Sequence, residues 1–243
     1  MRDVVVGGGP AVPEVYQTDG SLRRLTNASG YSAREYPFLS TRPDGQVQLL
    51  GPPTGMYTIN TSGTGALSAV EQRDNINRDY GSFATYDIGK VLVVGGGDVT
   101  EGDQTHVPTK TARIVDFNGS TPEVGPAASM SVGRRQHNLT LLADGSVLAT
   151  GGMSRVANGL IDLNNPVFAA ERWDPATNTW TVLSSASRVR QYHSSASLLP
   201  DGRVLTGGGG VCASCKDAGY LQKNIEYFQP PYLFKKDSSG DLA

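Results

Sequence analysis

This chain is short of the residues from which metal clusters, disulfide frameworks and membrane spans are built. Its 243 residues include two cysteines and three histidines. A Cys/His zinc module needs about four such ligands at close spacing, so the single Cys-x-x-Cys at Cys212 and Cys215 supplies half a set and leaves zinc poorly served. There is no surplus of positive charge: the formal net charge is −2 and the sequence pI about 5.9, which argues against nucleic acid or anionic lipid as partner. No apolar run approaches the roughly 18 residues of a membrane span. The first apolar run, Val4-Val5-Val6, is followed at once by glycine and is too short for the core of a signal peptide, so no export signal is visible. Helical periodicity is missing too, because no window of about 11–18 residues keeps an apolar stripe at 3.6-residue spacing.

What the chain has instead is 30 glycines and 14 prolines among short Val/Leu runs, the composition of an all-β protein with tight turns. Strands that end on glycine recur. Their first glycines stand at 7, 51, 95, 151 and 207, giving steps of 44, 44, 56 and 56 residues. Three of these strands follow the same turn, Pro43-Asp44-Gly45, Ala143-Asp144-Gly145 and Pro200-Asp201-Gly202, and Asp87-Ile88-Gly89-Lys90 takes that place before a fourth. Each unit then continues through a variable loop into two further strands, most clearly around Trp173, the turn Pro175-Ala176-Thr177-Asn178, and Trp180. Four short strands per repeat of about 40–50 residues, with a double glycine after the second, is the form of a kelch-type β-propeller blade. The expected blades are roughly 1–30, 31–72, 73–130, 131–187 and 188–229, an incomplete ring, with 230–243 as a linker. Trp173 and Trp180 are expected to pack between blades rather than to serve as ligand platforms.

In a propeller the innermost strand of each blade lines the central channel, so its first residues gather at one mouth. Those positions share a pattern here: Arg34-Glu35-Tyr36-Pro37, Arg78-Asp79-Tyr80-Gly81, Arg135-Gln136-His137-Asn138 and Arg190-Gln191-Tyr192-His193. Tyr36, Tyr80, His137, Tyr192 and His193 are therefore expected around one axial pocket. Tyr36 and Tyr80 read as lining groups and His137 as polar filler or a supporting group. The adjacent Tyr192 and His193 have a sharper chemistry, since phenolate and neutral imidazole both suit copper or iron. No Ser/His/Asp spacing or paired carboxylate converges on the same mouth, which leaves hydrolysis without support.

The string from Arg188 to Gly210, continued by Val211-Cys212-Ala213-Ser214-Cys215 and Tyr227-Phe228-Gln229-Pro230-Pro231-Tyr232-Leu233, resembles the galactose oxidase and glyoxal oxidase family of copper-radical oxidases. The likeness extends upstream through Arg135-Gln136-His137 and Gly63-Thr64-Gly65. It implies a seven-bladed kelch-type propeller, of which this chain carries four to five blades, ahead of an immunoglobulin-like C-terminal domain. Tyr192 then corresponds to the family's axial copper tyrosine and its catalytic base, His193 to an equatorial copper ligand, and Arg78 to the substrate-side arginine. Cys212 and Cys215 correspond to a structural disulfide, which implies maturation outside the cytosol. The family's tyrosyl-cysteine radical cofactor is expected upstream of this chain and its second copper histidine downstream. The implied reaction oxidises a small alcohol, aldehyde or carbohydrate with O2 and yields H2O2, and this stretch alone is expected to be inactive. The alternative is a kelch module that binds protein or glycan without catalysis. The two are separated by neighbouring sequence, which must hold an unpaired cysteine and an Arg-x-Tyr strand start upstream, and a histidine downstream, for the oxidase reading.

Overall fold

The computed structural model describes residues 4–6, 12–30, 36–97, 107–155, 161–210 and 220–235. They form five successive antiparallel sheets, each built from strands consecutive in the chain. The first sheet holds β1 (Val4–Val6), β2 (Glu14–Tyr16) and β3 (Leu22–Arg24). The second holds β4 (Phe38–Thr41), β5 (Val47–Gly51), β6 (Gly55–Asn60) and β7 (Ala66–Gln72). β8 (Ser82–Asp87), β9 (Lys90–Val94), β10 (Ala112–Asp116) and β11 (Glu123–Ala127) make the third. β12 (Arg135–Leu141), β13 (Val147–Met153), β14 (Ala169–Asp174) and β15 (Thr179–Ser185) make the fourth. β16 (Ser194–Leu198), β17 (Val204–Gly208) and β18 (Ile225–Phe228) form the last. This is a β-propeller: β4 packs beside β8, β8 beside β12 and β12 beside β16, so the first strands of successive sheets stand side by side along the channel.

Local chemistry explains the first hairpin of the second, fourth and fifth sheets. In the Asp-Gly turns the aspartate carboxylate accepts the N–H two residues on, at 3.0 Å for Asp44 to Gln46, 3.1 Å for Asp144 to Ser146 and 3.0 Å for Asp201 to Arg203. All three carboxyls are held below their ordinary range: Asp44 chiefly by the Gln46 N–H, Asp144 against an opposing effect of burial by Ser146 and Arg172, and Asp201 chiefly by the Arg203 side chain.

The second strands, β5, β9 and β13, are buried almost throughout instead of alternating. Both of their faces are covered by neighbouring sheets, whereas the outer strands β7 and β15 are largely exposed. The apolar core accordingly lies between sheets. Val15, Leu25 and Ala28 of the first meet Val47, Leu49 and Ile59 of the second. Phe38, Leu50 and Met56 meet Val91, Val93, Val115 and Phe117 of the third. Ala84, Leu92, Val94, Ala112 and Met130 meet Val147, Ala149 and Trp173 of the fourth, and Leu148 and Ala170 meet Val204 of the fifth. Trp173 is fully buried and stands edge-on to Tyr86 at 4.9 Å, while Trp180 donates its indole N–H to Ala128 O at 2.8 Å. Both tryptophans thus join the third sheet to the fourth.

The double glycines have a polar counterpart. Gly96 N donates to Arg134 O at 2.9 Å and Gly152 N to Arg190 O at 2.7 Å, tying each sheet to the chain that enters the next. A Cβ on Gly95 would lie 2.6 Å from Arg134 O, and one on Gly151 2.5 Å from Arg190 O; both residues have φ near +70° (+67° and +69°). Only glycine fits such an approach in that conformation. The guanidinium groups of Arg78, Arg134 and Arg190 then reach back to the carbonyls of Gly95, Gly151 and Gly208 at the ends of their own second strands.

Candidate functional site

Four non-glycine residues at the entries to the inner strands have left-handed backbone: Tyr36 at φ +59°, Tyr80 at +55°, Gln136 at +58° and His193 at +60°. Such a conformation costs an aromatic or branched residue roughly 1–2 kcal/mol, so it persists where the surroundings demand it. Here the chain turns from the previous sheet into the channel, and the reversal sends these side chains to one place. Tyr36, Tyr80, Gln136, His137, Tyr192 and His193 all line a cleft of about 190 Å³ at the channel mouth.

The repeated motif is registered differently in space and in sequence. By sequence, Arg135-Gln136-His137 and Arg190-Gln191-Tyr192 align His137 and Tyr192 with Tyr36 and Tyr80. By backbone, the equivalents of Tyr36 and Tyr80 are Gln136 and His193. The turn that closes with Gly81 N donating to Arg78 O recurs as Ser194 N donating to Gln191 O, both at 2.8 Å. One extra residue between Arg190 and that turn therefore brings Tyr192 and His193 to the mouth together. Gln191 fills the added position: its amide is buried and clamps Asp162, accepting from Asp162 N at 2.8 Å and donating to Asp162 O at 2.7 Å.

Tyr192 and His193 stack, with ring centroids 3.8 Å apart and 25° between planes. Tyr36 reaches them from the second sheet, its hydroxyl 2.9 Å from Tyr192 Oη and 3.1 Å from His193 Nε2. Tyr80 closes the cluster at 5.9 Å from Tyr36 and 6.1 Å from Tyr192, and the Arg135 guanidinium lies over its ring at 4.4 Å. On the wall, His137 is 4% exposed and neither ring nitrogen has a hydrogen-bond partner among the described residues. Burial, reinforced by the nearby charges of Arg134 and Arg78, lowers its pKa to about 3, so the ring is neutral at physiological pH. The Gln136 amide is likewise buried without a partner on either atom among the described residues. Its place in the cleft was not legible in the motif, which pointed to the residue after it.

Arg78 is not part of this cleft. It is fully buried, and all five of its N–H groups are spent: two on Asp74 Oδ2 at 3.1 and 2.7 Å, and three on Gly95 O, Thr111 O and Thr111 Oγ1 at 2.9–3.0 Å. The expected substrate-side arginine is a structural staple between strands. Burial pushes the Asp74 carboxyl up, but Arg73 and Arg78 outweigh it and hold the group below its ordinary range. Cys212 and Cys215 lie outside the described residues.

Among the described residues no three His, Cys, Asp or Glu side chains gather as a metal cluster. The donor set at the mouth is of another kind, a phenol oxygen and an imidazole nitrogen from adjacent residues, both reached by the same second phenol. That N,O set fits a copper-type ion better than a hard oxygen-seeking one.

The fold and this cleft define a propeller with an oxygen-and-nitrogen donor pair at its hub. Residues 84–232 match the family described as glyoxal oxidase N-terminus, and the chain belongs to that family. It is 33% identical over 226 residues to a galactose oxidase of Gibberella zeae, covering 88% of this chain and 31% of that protein. It is 26% identical over 217 residues to the aldehyde oxidase GLOX of Vitis pseudoreticulata, covering 82% and 41% respectively. Among solved structures it is similar to a fungal alcohol oxidase of the AA5 family in complex with copper, with 26% identity and a TM-score of 0.81 over 97% of this chain and 50% of that one. The chain thus spans 31–50% of the length of these three relatives.

Proposed function

We propose that this chain carries part of the active site of a copper-radical oxidase, which oxidises a primary alcohol or aldehyde with O2 and releases H2O2. The observation that carries the reading is the stacked Tyr192 and His193 pair facing the channel cleft, with a third polar group within hydrogen-bond distance of both donor atoms. Tyr192 Oη and His193 Nε2 would hold copper, which when bound supplies one-electron redox exchange and makes a coordinated phenol far more acidic than its usual pKa near 10. The chain's own groups then have defined tasks. Tyr192 Oη would take the proton of the substrate hydroxyl as general base and pass it on to the departing H2O2. His193 offers Nε2 as the nitrogen donor. Tyr80 and Tyr36 form an aromatic wall of the cleft, and Gln136 and His137 present uncharged hydrogen-bonding groups toward the same space. The radical-bearing tyrosyl-cysteine and a further histidine belong to sequence outside these residues, so this stretch alone is expected to be inactive.

The test uses the protein with all flanking sequence its gene encodes, loaded with copper and assayed for peroxide on simple alcohols, aldehydes and sugars. Tyr192→Phe and His193→Ala should each abolish peroxide formation. Activity at the wild-type rate in either variant, or a wild-type protein that takes up no copper, overturns the proposal and favours a ligand-binding propeller.

A further inference from the structure

Tyr36 makes two contacts that its aromatic neighbours alone do not require. Its hydroxyl is within hydrogen-bond distance of Tyr192 Oη and of His193 Nε2, which lie 156 and 157 positions later and on a different sheet. The ring, itself about half exposed, stands 5.9 Å from Tyr80 and 6.4 Å from each of the stacked Tyr192 and His193 rings. Its backbone stands at φ +59°, the conformation that carries the side chain across the mouth.

A phenol has one proton to donate, so Tyr36 cannot donate to both partners. Two proton arrangements satisfy both contacts, one with His193 Nε2–H donating to Tyr36 Oη and Tyr36 O–H donating to Tyr192 Oη, the other with Tyr192 O–H donating to Tyr36 Oη and Tyr36 O–H donating to His193 Nε2. The second requires a lone pair on Nε2 and leaves the imidazole proton on Nδ1. It is the tautomer whose Nε2 is able to ligate a metal. We propose that Tyr36 is the positioning residue of this site: a single hydroxyl from the second sheet brings Tyr192 Oη and His193 Nε2 to one point and selects the histidine tautomer. The inference rests on the copper reading for its use and for the choice between the two arrangements, but not for its geometry. When a metal takes the Nε2 lone pair the bond to Nε2 gives way and the one to Tyr192 Oη stays, and a hydrogen-bonding partner of a ligand changes metal affinity by about 10- to 100-fold when removed.

The experiment compares wild type with Tyr36→Phe, which keeps the ring and removes only the hydroxyl, in the protein with its encoded flanking sequence. In metal-free protein, ¹⁵N NMR of His193 should show the Nδ1–H tautomer in wild type and a mixture in the variant, at an unchanged thermal midpoint. On titration with Cu(II), the variant should bind about 10- to 100-fold more weakly and show an altered phenolate-to-Cu(II) absorption band. In a Tyr192→Phe background the same change should have a smaller effect, because the two hydroxyls act through one another. An unchanged tautomer overturns the positioning role. So does equal or tighter Cu(II) binding, which would make Tyr36 a bystander or a competitor. If wild type binds no Cu(II) while its His193 tautomer still responds to Tyr36→Phe, the copper reading falls and the positioning role stands.

Discussion

Arg134 and Glu171 form an ion pair in which neither side chain has any solvent exposure. Arg134 Nη2 donates to Glu171 Oε1, Arg134 Nη1 donates to Gly151 O and Ala169 O, and Glu171 Oε2 accepts the N–H of Ser131. One pair therefore ties the entry to the fourth sheet to its second and third strands, directly behind the cleft wall formed by Gln136 and His137.

Breaking that pair from one side should be costly. Arg134→Met leaves Glu171 buried with its charge uncompensated, and the expected loss is about 3–5 kcal/mol of unfolding free energy. Denaturant titration reads it directly, and replacing both partners with apolar residues should recover part of the loss. A single variant within about 0.5 kcal/mol of wild type would show that the pair does not hold the blade.

Arg78 should behave as a structural residue. With Arg73 still paired to Asp74 through Nη2 at 3.2 Å, Arg78→Ala is expected to cost roughly 2–3 kcal/mol from lost charged hydrogen bonds. The thermal midpoint should fall, and KM of whatever protein remains folded should stay near wild type. A raised KM at an unchanged midpoint would return Arg78 to the substrate.

His137 makes acid stability testable. Its folded pKa of about 3 lies below the ordinary value of 6.5, so the unfolded chain binds the extra proton first. The neutral ring's stabilising effect is fully present above about pH 6.5 and is lost progressively as pH falls toward 3, by up to a few kcal/mol. His137→Gln should flatten the dependence of urea midpoint on pH in that window. An equal slope in wild type and variant would show that His137 does not titrate as the burial demands.

Gly151→Ala places a methyl group 2.5 Å from Arg190 O on a backbone at φ +69°. The expected result is a loss of several kcal/mol, concentrated between the fourth and fifth sheets. Hydrogen exchange should show β16 and β17 opening before β8 and β9. Uniform protection across all four strands would argue that the glycine is not what seals this junction.

Much of the architecture was legible because its causes are local. An Asp-Gly turn closes a hairpin through its own carboxylate wherever the chain goes. The glycines that end β9 and β13 recur because each lies against the carbonyl of the arginine that leads into the next sheet. The inter-sheet role of Trp173 and Trp180 could be read from size alone.

The meeting of Tyr36, Tyr80, Tyr192 and His193 was legible only as a consequence of a propeller, since it depends on where four distant strand entries stand. The register at the mouth was not legible at all: an extra Gln191 and a left-handed residue at Gln136 shift which side chain faces the cleft, and neither leaves a mark in an Arg-x-Tyr pattern. Arg78 shows the same limit, because an arginine beside a pocket motif looks identical whether its donors face a ligand or are consumed by Asp74, Gly95 and Thr111. The sequence by itself determined the turns, the strands and their repetition, which arise from neighbours along the chain. Only the tertiary structure decided which polar groups are already satisfied and which still face the channel, because many of the hydrogen-bond partners lie far along the chain, 17 residues away for Arg78 and Gly95 and 157 for Tyr36 and His193.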